Sequence, residues 1–466
     1  MSNLTLSQAV DYAIELLSDS GGVVVGEVSN TANLRWANSS LTTNGNTVEQ
    51  SLSVAAFLPI NDPATAKNIG TAVGIASGQI TDLASVANLV DKSRQSALAA
   101  GVAEDANDLP TGVAAKDFHD VPASVDLAEL EHIAIGLNKV FENKHSEYFG
   151  YCEITIDTLY VATSAGMKTR FEQKTSRFEL SAKSIDRKRS AWSGQSGTSL
   201  LSVDVHSHGV EVDQGLKFQE NQIEIPAGKH KVTLSPSAVA DLMIYLMWTA
   251  SAREASEGRS VFSAPGGGTR IGEQLTTRDF NVVSDPEFPG LQTINQVVSL
   301  GSSSFTSTFD TGLPITKSEL ISKGKLSSLG SSRHAASLAK LPFTPLADNI
   351  IVTDTSGTGS LLDTAKRMQN GLLITCLWYI REVDSESLLL TGLTRDGVYV
   401  VENGEIIGAA SNFRFNESPV GMLNRIVDAG QSIACLPREW ADYFARAKVA
   451  PLTISDFNLS TKSDAI

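Results

Sequence analysis

The chain has 466 residues, with 52 acidic against 37 basic side chains, a formal net charge of -15 and 42% apolar residues. That apolar share excludes a disordered polyanion, and the acidic balance excludes a nucleic-acid binder that tracks phosphates with a basic face. At about 150 residues per domain the length predicts two or three domains with cores of their own. Cys152, Cys376 and Cys435 are too few and too widely spaced for a disulfide framework or a CxxC site, which fits a reducing compartment. The longest apolar stretches, residues 240–252 and 371–380, fall short of the roughly 18 residues that span a bilayer. The N-terminal MSNLTLSQAVDYAIELL lacks the positive start and cleavage site of a signal peptide, so a cytoplasmic protein is expected.

In chain order, Thr5 and Gln8 stand at capping-box spacing, and Leu6, Val10, Ala13, Ile14 and Leu17 recur at helical intervals. An apolar run at 23–28 predicts a strand, Asn44-Gly45 a hairpin turn, and the alternation of Leu52, Val54, Ala56 and Leu58 a half-buried strand. With a helix expected over 81–99, these elements make an N-terminal α/β unit, residues 1–105. The Pro/Asp/Gly-containing stretch 105–123 predicts a separation from a second, small α+β unit, residues 106–222. There a helix is expected at 124–143 and short strands at 151–156, 159–162, 169–172 and 178–182, with Ser164-Ala165-Gly166 as a turn. Residues 186–198, rich in cations, Ser and Gly, read as an exposed connection.

From about Ile223 the texture changes to short β-like runs spaced by turn signals, predicting a large β-rich C-terminal domain with few helices, residues 223–466. The expected fold class is therefore α+β. Ser235-Pro236 supplies an N-cap and a proline at the first helical position, and Val239, Leu242, Met243, Leu246 and Met247 then predict an amphipathic helix. Strands are expected at 350–353, 372–382, 388–391, 398–401 and 405–409, with Asn403-Gly404 as a tight turn.

The chemistry-bearing fragments are few. None of the seven histidines is followed by Glu, so the HExxH zinc signature and its HExxxH variant are absent. His206 and His208 would share a face on a strand and approach a metal, but exposed histidines beside a turn are the simpler reading. Cys376 sits in an apolar run and reads as core, whereas Cys435 is a candidate nucleophile or ligand. The glycines at 266–268 and the TSGTGS at 355–360 lack the lysine of a P-loop and the spacing of a dinucleotide fingerprint, and read as turns.

Longer strings carry more. They are RWANSSLTTNG at 35–45, LYVATSAG at 159–166, VTLSPSAVADLM at 232–243, EGRSVFS at 257–263, FDTGLP at 309–314 and TRDGVYVVENGEIIGAASNFRFNESP at 394–419. In this order, over nearly the whole chain, they resemble the TldD/PmbA family. That resemblance implies one of two paralogous types that pair: a TldD-type zinc metallopeptidase with HExxxH on a helix, or a PmbA (TldE) type without it. Registering residues 232–236 on the entry to that helix puts the motif at IYLMWT, residues 244–249. Ile244 and Thr249 then stand where ligating histidines would be and Tyr245 where the catalytic Glu would be.

The resemblance thus implies a non-catalytic subunit with no cofactor of its own, zinc being expected in a TldD-type catalytic partner. The pair would enclose a cavity that admits unstructured peptides, as a heterodimer or, alone, a homodimer; no nucleic acid or membrane partner is expected. Asn412, Arg414 and Asn416 alternate with Phe413 and Phe415 and are candidate peptide or partner contacts. A self-associating peptide-binding module and a peptidase using another site, such as Cys435, remain the alternatives.

Overall fold

The computed structural model describes residues 4–62 and 64–463. Long β-prone stretches of the first half become long antiparallel strands of one six-stranded sheet. Its order is Asn68–Gly78, Ser40–Asn61, Gly22–Ala37, Ser146–Thr163, Lys168–Ser184 and Ser190–Gly197. The sheet crosses the division expected near residue 105, because Gly22–Ala37 pairs on one side with Ser40–Asn61 and on the other with Ser146–Thr163. The intervening stretch 105–123 lies against this sheet: Phe118 is buried and meets Tyr160 edge-on, ring centroids 5.8 Å apart.

The helix Leu6–Leu16 begins with the expected capping box, and it packs with Leu83–Ala99 on Val24, Leu52, Val54 and Ala56. Farther along the sheet, Ala128–Val140 and Val205–Phe218 bury Ile133, Leu137, Val212 and Leu216 against Trp36, Cys152 and Phe178. Several local expectations are corrected. Asn44-Gly45 lies inside a strand, and the chain turns instead at Asn38-Ser39, both left-handed with φ 50° and 55°. Asn tolerates that region, so the two-residue turn forms without glycine. The strands expected at 151–156 and 159–162 are one strand, both neighbours pairing across the intervening residues, and those at 169–172 and 178–182 are one strand because Ser146–Thr163 pairs across the residues between them. Residues 190–197 are not an exposed connection but the last strand of the sheet, with Ser190 through Ser193 buried.

In the second half, five strands close on themselves. Gly371–Asp384 pairs with Gly228–Leu234, which pairs with Leu452–Ser463, then Asn412–Glu417, then Leu389–Glu402, and back to Gly371–Asp384. Closure removes the unpaired edges that an open sheet would present. Glu405–Ala409 extends the barrel as a hairpin through the expected Asn403-Gly404 turn. A further six-stranded sheet runs Lys325–Leu326, Ser318–Ser322, Phe280–Ser284, Ile350–Asp354, Ala447–Val449 and Ile433–Cys435. The helix Pro236–Thr249 leaves the barrel strand 228–234 and shares one apolar cluster with the barrel and this sheet, including Ile374, Phe413, Phe457, Val282 and Val352. The architecture is α+β with a β-rich second half. Among the described residues no helix is long and apolar enough to cross a membrane.

One close approach sets how the N-terminal helices sit. Ser93, fully buried, accepts from the Ala56 amide and donates to the Gly74 carbonyl, 2.8 Å each, so one hydroxyl ties the helix to two strands. A Cβ at Gly74 would collide with backbone atoms of Ser93 and Ala97. Gly74→Ala is therefore expected to cost about 3 kcal/mol, the upper range of overpacking penalties. Urea unfolding checks this; an unchanged midpoint would mean that the helix does not seat on the strand this closely.

Candidate functional site

The helix Pro236–Thr249 starts as its sequence requires: the Ser235 hydroxyl accepts from the Ala238 amide at 3.1 Å and Pro236 occupies the first turn. The expected amphipathic stripe is corrected, because every residue from Pro236 to Ile244 is buried, Asp241 included. A strap following the strand Ile433–Cys435 covers the side that the sequence pattern left to solvent. Ser237 donates to the Leu436 carbonyl at 2.8 Å, the Glu439 amide donates to Asp241 Oδ1 at 3.1 Å, and Trp440 Nε1 donates to the Asp241 carbonyl at 2.9 Å. Glu439 in turn accepts from the amides of Tyr379 and Ile380, at 2.8 and 3.0 Å, where the barrel strand is bulged and Tyr379 has φ 57°.

Asp241 Oδ2 is buried without a hydrogen-bond partner. Burial raises its pKa well above the usual carboxylate range, outweighing the opposing pull of the Glu439 amide and Arg438. Cys435 lies beside it, and burial together with the Asp241 carboxyl pushes the thiol upward. That is the reverse of the thiolate stabilisation a nucleophilic cysteine needs.

The three positions at which the family motif would fall are now placed. Ile244 is fully buried in the apolar cluster. Thr249 Oγ1 donates to the carbonyls of Leu246 and Tyr245, at 3.0 and 3.2 Å, and so serves its own helix. Tyr245 is half-buried, its ring 5.8 Å from Trp440 and 6.3 Å from Trp248, while Trp248 meets Trp440 edge-on at 5.0 Å. Burial raises the Tyr245 phenol above its ordinary value. A peptidase zinc needs three lone-pair ligands, an open water position and a base. Ile244 has no lone pair, Thr249 is engaged with the backbone, and Tyr245 is no base at neutral pH. Among the described residues no three His, Cys, Asp or Glu side chains are grouped to hold a metal ion. The donor set does not fit zinc.

The strap also carries Arg438, which the sequence reading missed. It pairs with Asp396 of the barrel and lies over the rings of Trp192 and Trp378, at 5.0 and 5.4 Å. Asp396 also accepts from Ser190 on the last strand of the N-terminal sheet. One guanidinium therefore joins the strap, the barrel and the N-terminal half. Beside it, burial pushes the Cys376 thiol up to about 11, in keeping with its reading as core. The isolated Asp inside the apolar run 238–247 was a visible signal for Asp241; no comparable local signal marked Arg438.

Asp396, Gly397, Val398 and Ala409 through Asn412 face Asp186, Arg189, Ser190 and Gln219 across a cleft of about 590 Å³. Asn412, Arg414 and Asn416 do alternate with buried Phe413 and Phe415 on one strand. Only Asn412 reaches the cleft, where it accepts from Thr394 Oγ1 at 3.2 Å; Arg414 is exposed and lies 3.4 Å from Thr391 Oγ1. His206 and His208 are on a helix rather than a strand, so two residues apart they point to different sides. His206 is exposed; His208 contacts Ser193 Oγ at 2.7 Å and Phe178, and burial pulls it down to about 4.

Fold and site together define a two-part, β-rich scaffold in which the central helix is sealed by its own chain. Residues 227–460 match the sequence profile of the PmbA/TldA metallopeptidase C-terminal domain, and the chain belongs to the PmbA/TldD family. Three solved structures share the fold over nearly their whole length. TldE from Thermococcus kodakarensis has a TM-score of 0.76 at 13% identity, over 96% of this chain and 98% of that one. A protein of Thermotoga maritima, described as a candidate modulator of a DNA gyrase, has 0.73 at 14%, over 97% and 100%. One of Bacteroides thetaiotaomicron, described likewise, has 0.73 at 11%, over 98% and 98%. No curated protein matches.

Two outcomes are expected. Burial favours the neutral form of Asp241 in the folded chain, a preference lost on unfolding. Its raised folded pKa makes a contribution that is present below the ordinary Asp range and lost as pH rises through the folded value. Relative to Asp241→Asn, the native chain should therefore lose stability as pH rises from about 4. Thermal melts at pH 4 and pH 8 decide, and parallel slopes would refute it. Arg438→Met removes the nearer of two guanidinium groups from buried Asp396, Arg395 remaining at 3.7 Å, and should cost about 3 kcal/mol by urea unfolding, the low end for a broken buried pair; a cost below about 1 kcal/mol, as for exposed pairs, would show that the pair does not hold the halves together.

Proposed function

We propose that this chain is a non-catalytic PmbA/TldE-type subunit of a TldD/TldE-like zinc metallopeptidase acting on unfolded or small peptides. It supplies part of the enclosure and stabilises the catalytic subunit, which carries the zinc. The observation that carries this reading is the helix at 244–249. Its motif positions hold a core isoleucine, a tyrosine whose ring lies tilted against two tryptophans and a threonine bonded to its own helix. Side chains so engaged cannot be recruited to a metal without unpacking the core. The structural likeness to TldE supports the same assignment. On this reading the protein works in the cytoplasm, with a TldD-type chain as its partner and extended peptides as its ligands.

The test is reconstitution. The purified chain alone is expected to cleave no unstructured peptide and to carry no stoichiometric zinc by elemental analysis. Mixed with the HExxxH-bearing TldD-type chain of its own organism, it should give a stable complex whose peptidase activity exceeds that of the catalytic chain alone. One firmly held zinc per protomer in the lone chain, or peptide turnover by it, would overturn the proposal.

A further inference from the structure

A second cleft opens where the N-terminal sheet meets the chain that follows the strap. Side chains alternate along a strand, and Cys152, Ile154 and Phe178 are buried under the helices. Glu153, Thr155, Asp157, Gln173, Thr175 and Arg177 therefore share the opposite face. With Asp348 and residues 441–446 they line a space of about 240 Å³. Gln173 and Asp348 also line an adjoining space of about 250 Å³, walled by Ile294, Val297, Phe305, Ile315, Phe343 and Leu346. At the junction Gln173 Oε1 accepts from the Ile294 amide at 3.1 Å. One end of the cleft is thus charged and the other apolar.

The charges at the first end do not cancel in pairs. Arg177 is engaged by Asp442 and by Glu153, the latter at 3.5 Å. The Arg446 side chain is only 4% exposed, and its Nε has no hydrogen-bond partner among the described residues. Its Nη2 donates to Thr175 Oγ1 and, at 3.2 Å, to the Lys174 carbonyl, which fixes the guanidinium against the sheet. The carboxylate that approaches it, Asp348 Oδ2, stands 3.8 Å from Nη1, too far for a hydrogen bond. Asp157 enters no ion pair among the described residues. Burial raises the Asp157 carboxyl above its ordinary value and lowers the Arg446 guanidinium below its own. Charges taken from water without a close partner are costly. Asp157 and Arg446 act on each other but do not meet, so a small molecule bearing both signs of charge supplies each with what it lacks. An amine would serve Asp157 and leave Arg446 as it is, a carboxylate would do the reverse, and either end of a peptide brings only one of the two.

We propose that this cleft binds a free α-amino acid with an apolar side chain, as the zwitterion. Its ammonium lies between Asp157 and Asp348, its carboxylate lies on Arg446, and its side chain fills the end walled by Ile294, Phe305 and Phe343. The charged end selects the amino-acid backbone and the apolar end selects the side chain. No residue of the helix 236–249 takes part, so this inference does not rest on the proposed function.

Isothermal titration of the purified full chain is the test. L-Leucine and L-phenylalanine are each expected to bind at one site per chain. L-Alanine should bind at least about tenfold more weakly, since each buried methylene contributes about fourfold in affinity. Isoamylamine, which is leucine without its carboxylate, and isocaproate, which is leucine without its ammonium, should each lose about tenfold or more, the scale of a lost charge-assisted contact. Asp157→Asn keeps the shape of the side chain and removes the anion. Asp348→Asn does the same at a side chain 56% exposed. Each variant should retain native circular dichroism and bind leucine about tenfold more weakly.

No heat of leucine binding at millimolar concentration would overturn the proposal, as would isoamylamine or isocaproate binding as tightly as leucine. Leucine affinity unchanged in both Asp157→Asn and Asp348→Asn would overturn it too. So would leucinamide, which presents the amino end of a peptide, binding as tightly as leucine, because the carboxylate would then play no part.

Discussion

Burial of helix residues 236–244 on all sides is the constraint on which the second half of the molecule depends. A helix packed all round must come from an apolar sequence, and every polar group it carries inside must find a partner. Here Ser235 and Ser237 are spent on backbone contacts, Thr249 closes its own last turn, and burial beneath the strap favours the neutral form of Asp241. The strap is held in turn by Glu439 on the bulged barrel strand and by Arg438 on Asp396. Helix, strap and barrel therefore stand or fall together.

The same constraint separates scaffold from catalyst. A metallopeptidase helix must turn ligands toward an open, wet position, whereas this one turns Ile244 into the core and gathers Tyr245, Trp248 and Trp440 against each other. The packing that a metal site would interrupt is continuous. On the proposed function, the family fold persists here while the positions of a metal site are given over to packing.

Much of the fold was legible along the chain. The capping box at Thr5, the proline start at Pro236 and the turn at Asn403-Gly404 are local signals, and each formed as read because the groups involved lie within a few residues. Asn44-Gly45 misled for an equally physical reason. A turn dipeptide is a permission rather than a command, and Asn38-Ser39 turned the chain earlier, leaving Asn44-Gly45 inside a strand held by Gly22–Ala37. Strands broken by polar residues were read as short pieces, since pairing on both sides, which alone makes them continuous, is invisible to a window of sequence. Of the candidate site residues, Ile244, Tyr245 and Thr249 were named from resemblance, while Arg438 and Glu439 escaped notice because their partners lie far away in the chain.

Composition and periodicity alone determined that this is an acidic, α+β, strand-rich protein; the likeness of longer strings to the TldD/PmbA family added the position at which a metal motif would fall, where no histidine or glutamate stands. Those properties reside in side-chain identities and short spacings. Only the tertiary structure decided that the first two expected units share one sheet, that the barrel closes on itself and that the strap seals the helix. Each of these depends on which distant segments meet, and strand pairing joins residues by hydrogen bonds between backbones that are chemically alike everywhere in the chain.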